Sequence, residues 1–365
     1  MNSQSTNSSS VMFSDSLMSA DDALSFLIDS ASVTAMTEAV SLDDSLGRIL
    51  ASDIHSTINV PGFDNSAMDG YTIALNDTQV AQENLSFDVV DRIAAGSTGN
   101  DLKIGNAARI FTGAPIPNGA NTVVMQEECT LSEDKSQITV KRAINLNENI
   151  RPTGNDILKD NVILSSGRQI KPQDISLAAS VGVGELVVFK KIKVGVFFTG
   201  DELVEPGNPL TPGKIYNSNR YALVALLKQV GCDVINLGNI EDKLDATCEA
   251  LEALESQCDL IMTTGGVSVG EEDHVKPAVE KLGELNLWKI RMKPGKPLAY
   301  GKVKQTPFIG LPGNPVSSFV TFCIFSLPFI KKMQGNSNYE SKILKVKTNF
   351  DCKRAKPRRE YARVR

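Results

Sequence analysis

The stretches KVGVFFTGDE (193–202), NRYALVALLKQVGCDVINL (219–237) and LDATCEALEALESQCDLIMTTGG (244–266) decide the fold of this chain. Three apolar runs of strand length, KVGVFF, DVINL and DLIMTT, are separated by two longer segments with helical character. Leu223, Leu226, Leu227 and Val230 recur at helical spacing and stop before Gly231, so a helix is expected over about Asn219 to Val230. A second is expected over about Leu244 to Leu254. The alternation continues through a helix near Pro277 to Leu282, the runs LWKIRM, PLAYGKV and PFIGL, and a last helix after Asn314. Helices alternating with apolar strands imply a doubly wound parallel sheet with right-handed crossovers, assigned to residues 192–338.

In such a sheet, ligands collect beyond the carboxyl ends of the strands, so the loops there are the first place to look for chemistry. After KVGVFF comes TGDE with Glu202, after DVINL comes GNIED with Asp242, and after DLIMTT comes GGVSVGEED ending at Asp273. LWKIRM carries Lys289 and is followed by KPGKP with Lys293 and Lys296. PFIGL runs into GLPGNP, which opens a helix with Ser317 in its first turn. Gly265, Gly266 and Gly270 let backbone amides approach an anion, and Ser268 lies between them. Carboxylates beside an anion site call for a hard divalent cation such as Mg2+ bound through Glu202, Asp242 and Asp273 together with phosphate oxygens. The lysines would neutralise oxyanion charge. Carboxylates, lysines and glycine turns together suit phosphoryl or nucleotidyl chemistry, which is mostly positioning and electrostatics. Each loop alone also reads as something plainer: the glycines as tight turns, Lys289 as a solvated strand residue, His274 as a helix start.

Outside this domain the texture changes. Residues 15–45 read as helical, with Leu17, Ala20, Leu24 and Leu27 on one face, and LGRILASDI leads into an extended stretch. From 56 to 165, short alternating runs such as FDVVDRI, AARIFTG and NTVVMQEE are punctuated by Gly, Pro and Asn, which predicts a β-rich domain. Residues 166–191 contain a helix opened by Pro172 and the strand-like ELVVFKK, and are expected to pack with 15–55 as a discontinuous domain. Residues 1–14 read as a disordered tail, and ILKVKTNF within 339–365 as a strand that begins something new too near the end for another full domain.

Composition narrows the function. The chain has 365 residues, is 41% hydrophobic and 22% charged, and carries a net charge of −5. Residues 1–100 hold 14 acids against Arg48 and Arg92, and 341–365 hold ten bases against two acids, but no groove-reading motif or interleaved aromatics accompany the basic end. No nucleic-acid partner is expected. The apolar run Phe319 to Ile330 is too short to span a bilayer and the N-terminus lacks a secretory pattern, so no membrane partner is expected either. Six scattered cysteines without a CxxC pair fit reduced thiols in the cytoplasm. With only His55 and His274, a His-rich zinc site is not expected, and any metal would be held by oxygen.

Taken in order, DNSAMDGY (64–71), FTGAPIP from Phe111, RPTGNDI from Arg151, TGDEL from Thr199, TTGGVSVGEED from Thr263, KPGKP from Lys293 and GLPGNP from Gly310 closely resemble the molybdopterin molybdenumtransferase family, which includes bacterial MoeA and the E domain of gephyrin. The resemblance runs from about residue 15 to 350. TTGGVSVG is shared with the preceding adenylyltransferase; DNSAMDGY and KPGKP separate the two. It implies that molybdopterin adenylate and molybdate give molybdenum cofactor and AMP, with a divalent cation, in an elongated homodimer with both subunits contributing to a cleft beside the α/β domain. By motif it implies site roles for Asp69, Thr112, Asp156, Glu202, Asp242, Asp273, Lys289, Lys293, Lys296 and Ser317, and contact with the upstream adenylyltransferase. For Asp69, Thr112 and Asp156 the plainer reading is a capped turn. Asn155 stands where many relatives have Glu. The resemblance also implies that ILKVKTNF within 339–365 opens a C-terminal β domain, largely missing here. Two other functions remain open at this stage: a pterin-binding scaffold, against which the retained carboxylates speak, and the adenylyltransferase activity itself, which would consume ATP with free molybdopterin.

Overall fold

The structure, a computed structural model, describes residues 17–362 apart from 35, 268–272, 296, 348 and 350–356. The expected tail therefore lies outside the described residues. Two compact units emerge: residues 1–52, 166–171 and 185–365 form one, and 53–165 with 172–184 the other.

Helix α1 (Ala20–Ser30) opens the first unit, capped by the Ser19 hydroxyl, which accepts from the Asp22 amide at 3.0 Å. It buries Ala20, Ala23 and Leu27. It stops well short of residue 45, because β-branched and small polar residues follow and Thr37–Ser41 instead forms a strand, β1. In the second unit, β2 (Gly70–Ile73), β3 (Leu85–Ile93), β4 (Asn106–Ile110), β5 (Thr122–Met125), β6 (Cys129–Leu131) and β7 (Gln137–Val140) make one sheet in the order β5-β2-β4-β3-β7-β6. All its pairings are antiparallel except β3 with β4. Gly70 is required in β2: a Cβ there would lie 1.9 Å from the Val124 carbonyl oxygen. Helix α2 (Pro172–Ser180) groups with this β-rich unit, whereas β8 (Glu185–Phe189) runs antiparallel to β1 in the first.

The first unit continues with β9 (Lys193–Phe198), α3 (Ser218–Gln229), β10 (Asp233–Asn239), α4 (Leu244–Glu255), β11 (Leu260–Thr264), α5 (Val275–Leu282), β12 (Gly283–Lys289), β13 (Pro297–Val303), β14 (Thr306–Leu311), α6 (Pro315–Thr321) and α7 (Leu327–Met333). The sheet order is β10-β9-β11-β14-β13-β12. Four strands, β10, β9, β11 and β14, are mutually parallel, while β13 is antiparallel to β14 and β12 antiparallel to β13. The sheet is thus mixed, not purely parallel. Two reversals cancel, so β12 points the same way as the parallel set and its carboxyl end falls on their edge.

Alternation along the strands feeds two cores. Val194, Val196, Phe198, Met262 and Ile309 face α1, α3, α6 and α7, and Phe197, Ile261 and Phe308 face α4 and α5. Helices therefore cover both faces. The helical run Pro315–Met333, which includes a π-turn at Phe322–Ser326, is longer than the sequence reading allowed and by length and composition could cross a membrane. Its Phe322, Phe325, Phe329 and Ile330 are instead buried in the protein core. Residues 341–347 form no strand; Ile343, Leu344 and Val346 are exposed, as expected of an apolar run with no neighbouring edge to join.

Candidate functional site

The chain passes from β9 to β10 on one side and then to β11 on the other, so the strand order reverses between β9 and β11. Crossovers leave this switch point on opposite faces, which opens a crevice at the carboxyl edge. A cavity of about 250 Å³ sits there, lined by Thr199, Gly200 and Glu202 after β9, Asp242 after β10, Gly265, Gly266 and Asp273 after β11, Asn217 to Asn219 at the start of α3, and Gly313 and Pro315 at the start of α6. Glu202, Asp242 and Asp273, far apart in the sequence, share this wall together with Gly265 and Gly266.

Local chemistry fixes these loops. The buried Thr199 hydroxyl donates to Asp242 Oδ1 at 2.8 Å, tying the β9 loop to the β10 loop. Gly265 and Gly266 both have positive φ, at +85° and +64°, and a Cβ on Gly266 would meet Val275 Cγ2 at 2.5 Å. The Gly265 amide donates to the Leu311 carbonyl at 2.9 Å, which holds the turn beside the end of β14. Asn314 caps α6 by accepting from the Val316 and Ser317 amides at 3.1 and 3.2 Å. Those two donors are taken, so the end of α6 offers a ligand its dipole field more than free N–H groups.

Among the described residues no three acidic, histidine or cysteine side chains gather closely enough to hold an ion by themselves. The three carboxylates thus line the cavity without forming a closed cage on their own, and the Mg2+ expected from the sequence is one held together with phosphate oxygens. The donors remain hard oxygens, and Mg2+ needs only one or two carboxylates beside phosphate oxygens and water. To that extent the residues fit the ion.

The lysines are placed differently from the expectation. Lys289 ends β12, three strand positions from β11, a separation of about 14 Å at the usual spacing. It does not line the cavity. Neither does Lys293, whose ammonium lies 3.8 Å from Glu360 Oε1. Ser317 is buried in the first turn of α6, behind the cavity-lining Gly313 and Pro315. The KPGKP loop does approach that turn: a Cβ on Gly295 would stand 2.8 Å from Thr321 Oγ1 and 3.6 Å from Ser317 Cβ. Ser268, Gly270 and Lys296 fall outside the described residues.

In the β-rich unit, Thr112 grips Asp69 twice, its amide and hydroxyl both donating to Asp69 Oδ1 at 2.8 and 3.0 Å. These hydrogen bonds, the amide's first, hold the Asp69 carboxyl below its ordinary range. Thr153 grips Asp64 in the same way at 2.7 and 2.8 Å. The two ends of DNSAMDGY are therefore bolted to FTGAP and RPTG respectively. Asp156 is not part of either pair; its carboxylate accepts from Asn155 at 2.8 Å and its amide donates to Val60.

Sequence reading missed the Asn217–Asn219 wall. Asn217 is buried as the cap of α3 and donates to Asn239 at 2.5 Å, while Asn219 donates to the Gly313 carbonyl at 2.7 Å. The cap signal Asn-Ser just before the apolar period of α3 was available.

Comparison with known proteins follows the same division of the chain. Residues 18–182 match the family model described as MoeA N-terminal region (domain I and II), and residues 195–332 match that described as "Probable molybdopterin binding domain". The chain is 44% identical over 325 residues to the molybdopterin molybdenumtransferase of Haemophilus influenzae, covering 89% of this chain and 80% of that protein. It is 37% identical over 335 residues to that of Bacillus subtilis, covering 90% and 78%. A crystal structure of the molybdopterin biosynthesis MoeA protein of Pyrococcus horikoshii superposes with a TM-score of 0.78 at 32% identity, covering 90% of this chain and 82% of that one.

Proposed function

The chain belongs to the molybdopterin molybdenumtransferase family and is an enzyme of the transferase class, and from that premise we propose that it inserts molybdate into adenylylated molybdopterin, giving molybdenum cofactor and AMP. The observation that carries this reading is the meeting of Glu202, Asp242 and Asp273 with Gly265 and Gly266 around one cavity at the switch point. The glycine turns let the backbone approach the phosphate of the pterin: both positions hold a positive φ that side chains rarely adopt, and at Gly266 a Cβ would also meet Val275. Ser268 and Gly270 extend that turn in sequence and are assigned to the same cradle.

Glu202, Asp242 and Asp273 are the residues that would hold Mg2+. When bound, the ion supplies positive charge to the phosphoanhydride oxygens. Thr199 keeps Asp242 oriented, and the start of α6 adds its dipole field. Lys289, Lys293, Lys296 and Ser317 are assigned to the molybdate end, where a tetrahedral dianion needs point charges and donors more than a planar fork. Asp69, Thr112 and Asp156 are assigned to the reaction from the family motifs they occupy. The homodimer and the contact with the upstream adenylyltransferase are likewise proposed from the family. A cytoplasmic setting is supported by five free cysteines among the described residues.

Incubating the full chain with molybdopterin adenylate, Mg2+ and molybdate tests this. AMP release that depends on molybdate, together with product able to revive a molybdoenzyme emptied of its cofactor, is the expected result. AMP release with no revived enzyme, or ATP consumption with free molybdopterin, would overturn it. Normal turnover by an Asp273→Asn variant would remove Asp273 from the assigned machinery.

A further inference from the structure

From Lys289, the last residue of β12, the chain leaves the six-stranded sheet, and Lys289–Lys293 finds other partners on two sides. The Met18 amide donates to the Lys289 carbonyl at 3.0 Å and the Arg291 amide to the Met18 carbonyl at 2.8 Å. On the other side Met292–Lys293 pairs in parallel with Arg359–Glu360, with the Arg359 amide donating to Arg291 at 3.0 Å and the Tyr361 amide to Lys293 at 2.8 Å. These two flanking segments are locked to each other. The Arg359 guanidinium forks onto Asp21 in the first turn of α1, Nη1 to Oδ1 at 2.6 Å and Nη2 to Oδ2 at 2.8 Å. The register sets Glu360 opposite Lys293, with Oε1 3.8 Å from the ammonium. All of this lies within one compact unit.

We propose that Asp21, Arg359 and Glu360 form a latch that holds Lys293 in place and partly neutralises it, so that the latch sets how tightly the enzyme takes a tetrahedral dianion. The inference rests on the reading of Lys293 as an oxyanion residue. Neither Asp21 nor Arg359 touches Lys293; both act through the strand that carries Glu360, and all three are positioning residues. A dianion arriving at Lys293 must compete with the Glu360 carboxylate. The Arg359 hydrogen bond also holds the Asp21 carboxyl below its ordinary range, as expected of a fork kept closed at neutral pH. Because Lys293 and Glu360 are both substantially exposed, the competition is modest, about 1.5- to fivefold in an equilibrium.

Equilibrium dialysis of molybdate alone against the full-length chain reads this without turnover. Glu360→Gln is expected to lower the molybdate Kd by that factor. Asp21→Asn is expected to shift it in the same direction, and the double variant to go no further than Glu360→Gln, since the fork acts only through Glu360. Exchanging the pair as Asp21→Arg with Arg359→Asp should return the Kd to that of the original protein. Lys293→Gln serves as the reference. A Kd raised by Lys293→Gln but unmoved by Glu360→Gln overturns the latch and leaves the reading of Lys293 intact. A Kd unmoved by Lys293→Gln overturns both. Additive effects of Asp21→Asn and Glu360→Gln would separate the fork from Lys293 and sink the coupling.

Discussion

Thr199 Oγ1 donates to Asp242 Oδ1 at 2.8 Å across the strand-order reversal, joining the loop after β9 to the loop after β10. Thr199 is almost fully buried and its methyl group lies against Gly266, so the hydroxyl has little freedom to point elsewhere. Replacing it with valine keeps the shape and removes the donor. A hydrogen bond to a charged group is worth about 1.5–3 kcal/mol, so Thr199→Val should lower kcat/KM for molybdopterin adenylate by roughly ten- to a hundredfold. Thr199→Ser should recover most of it. Unchanged kinetics in the valine variant, with AMP release as the assay, would place Asp242 outside the reaction.

Gly266 combines a left-handed backbone with a crowded Cβ position. Alanine there would carry the strain of φ +64° and would meet Val275 Cγ2 at 2.5 Å, on the buried face of α5. Together these give a destabilisation of about 2–5 kcal/mol, from roughly 1–2 for the backbone and 1–3 for overpacking. The urea midpoint of Gly266→Ala should fall accordingly. Gly47→Ala is the control: it shares a positive φ but has open space around its Cβ, so it should pay the backbone term alone.

The contrast between Glu202 and Lys293 shows what the sequence could tell. Strand and helix periods are local, and one topological rule turns them into an edge, so the convergence of Glu202, Asp242 and Asp273 could be read from the loops after β9, β10 and β11. Strand order is not local. Nothing in LWKIRM or PLAYGKV says that both add as an antiparallel pair beyond β14, yet that addition sets the lysine loop apart from the carboxylates. The partner of Lys293 was equally hidden, since Glu360 sits in a basic segment with no strand pattern and joins only two residues in register. The bolt between Asp69 and Thr112 was legible as two motifs but not as one contact. DNSAMDGY and FTGAP name the residues, and only β2 lying beside β4 brings them together.

Thiol chemistry offers a test of the core. Burial pushes the Cys232 thiol up to about 12, helped by the nearby Asp233 and Asp259 charges, and pushes Cys258 up to about 11. Thiolate is the reactive form, so both should resist iodoacetamide at pH 8 in the native protein and label within minutes in denaturant. Peptide mapping distinguishes them from the other four cysteines. Native-state labelling of Cys232 as fast as that of an exposed thiol would show that the face of the sheet against α3 and α7 is not packed as described.

Asp69 provides a prediction with a definite sign. Its folded value is depressed, by the Thr112 amide first and the Thr112 hydroxyl second, so its contribution is present above the unfolded value of about 3.9 and is lost as pH falls through the folded one. Between pH 5 and 8 Asp69 therefore stays ionised and cannot serve as the acid of a bell-shaped rate profile; any limb in that range must come from another group. Thr112→Val removes the hydroxyl but keeps the amide. The Asp69 titration, followed by carboxyl carbon NMR, should move upward in that variant yet stay below the ordinary carboxylate range, because the backbone hydrogen bond survives. Identical titration in both proteins would mean that the hydroxyl contact at 3.0 Å contributes nothing, and that Thr112 acts on Asp69 only through its backbone.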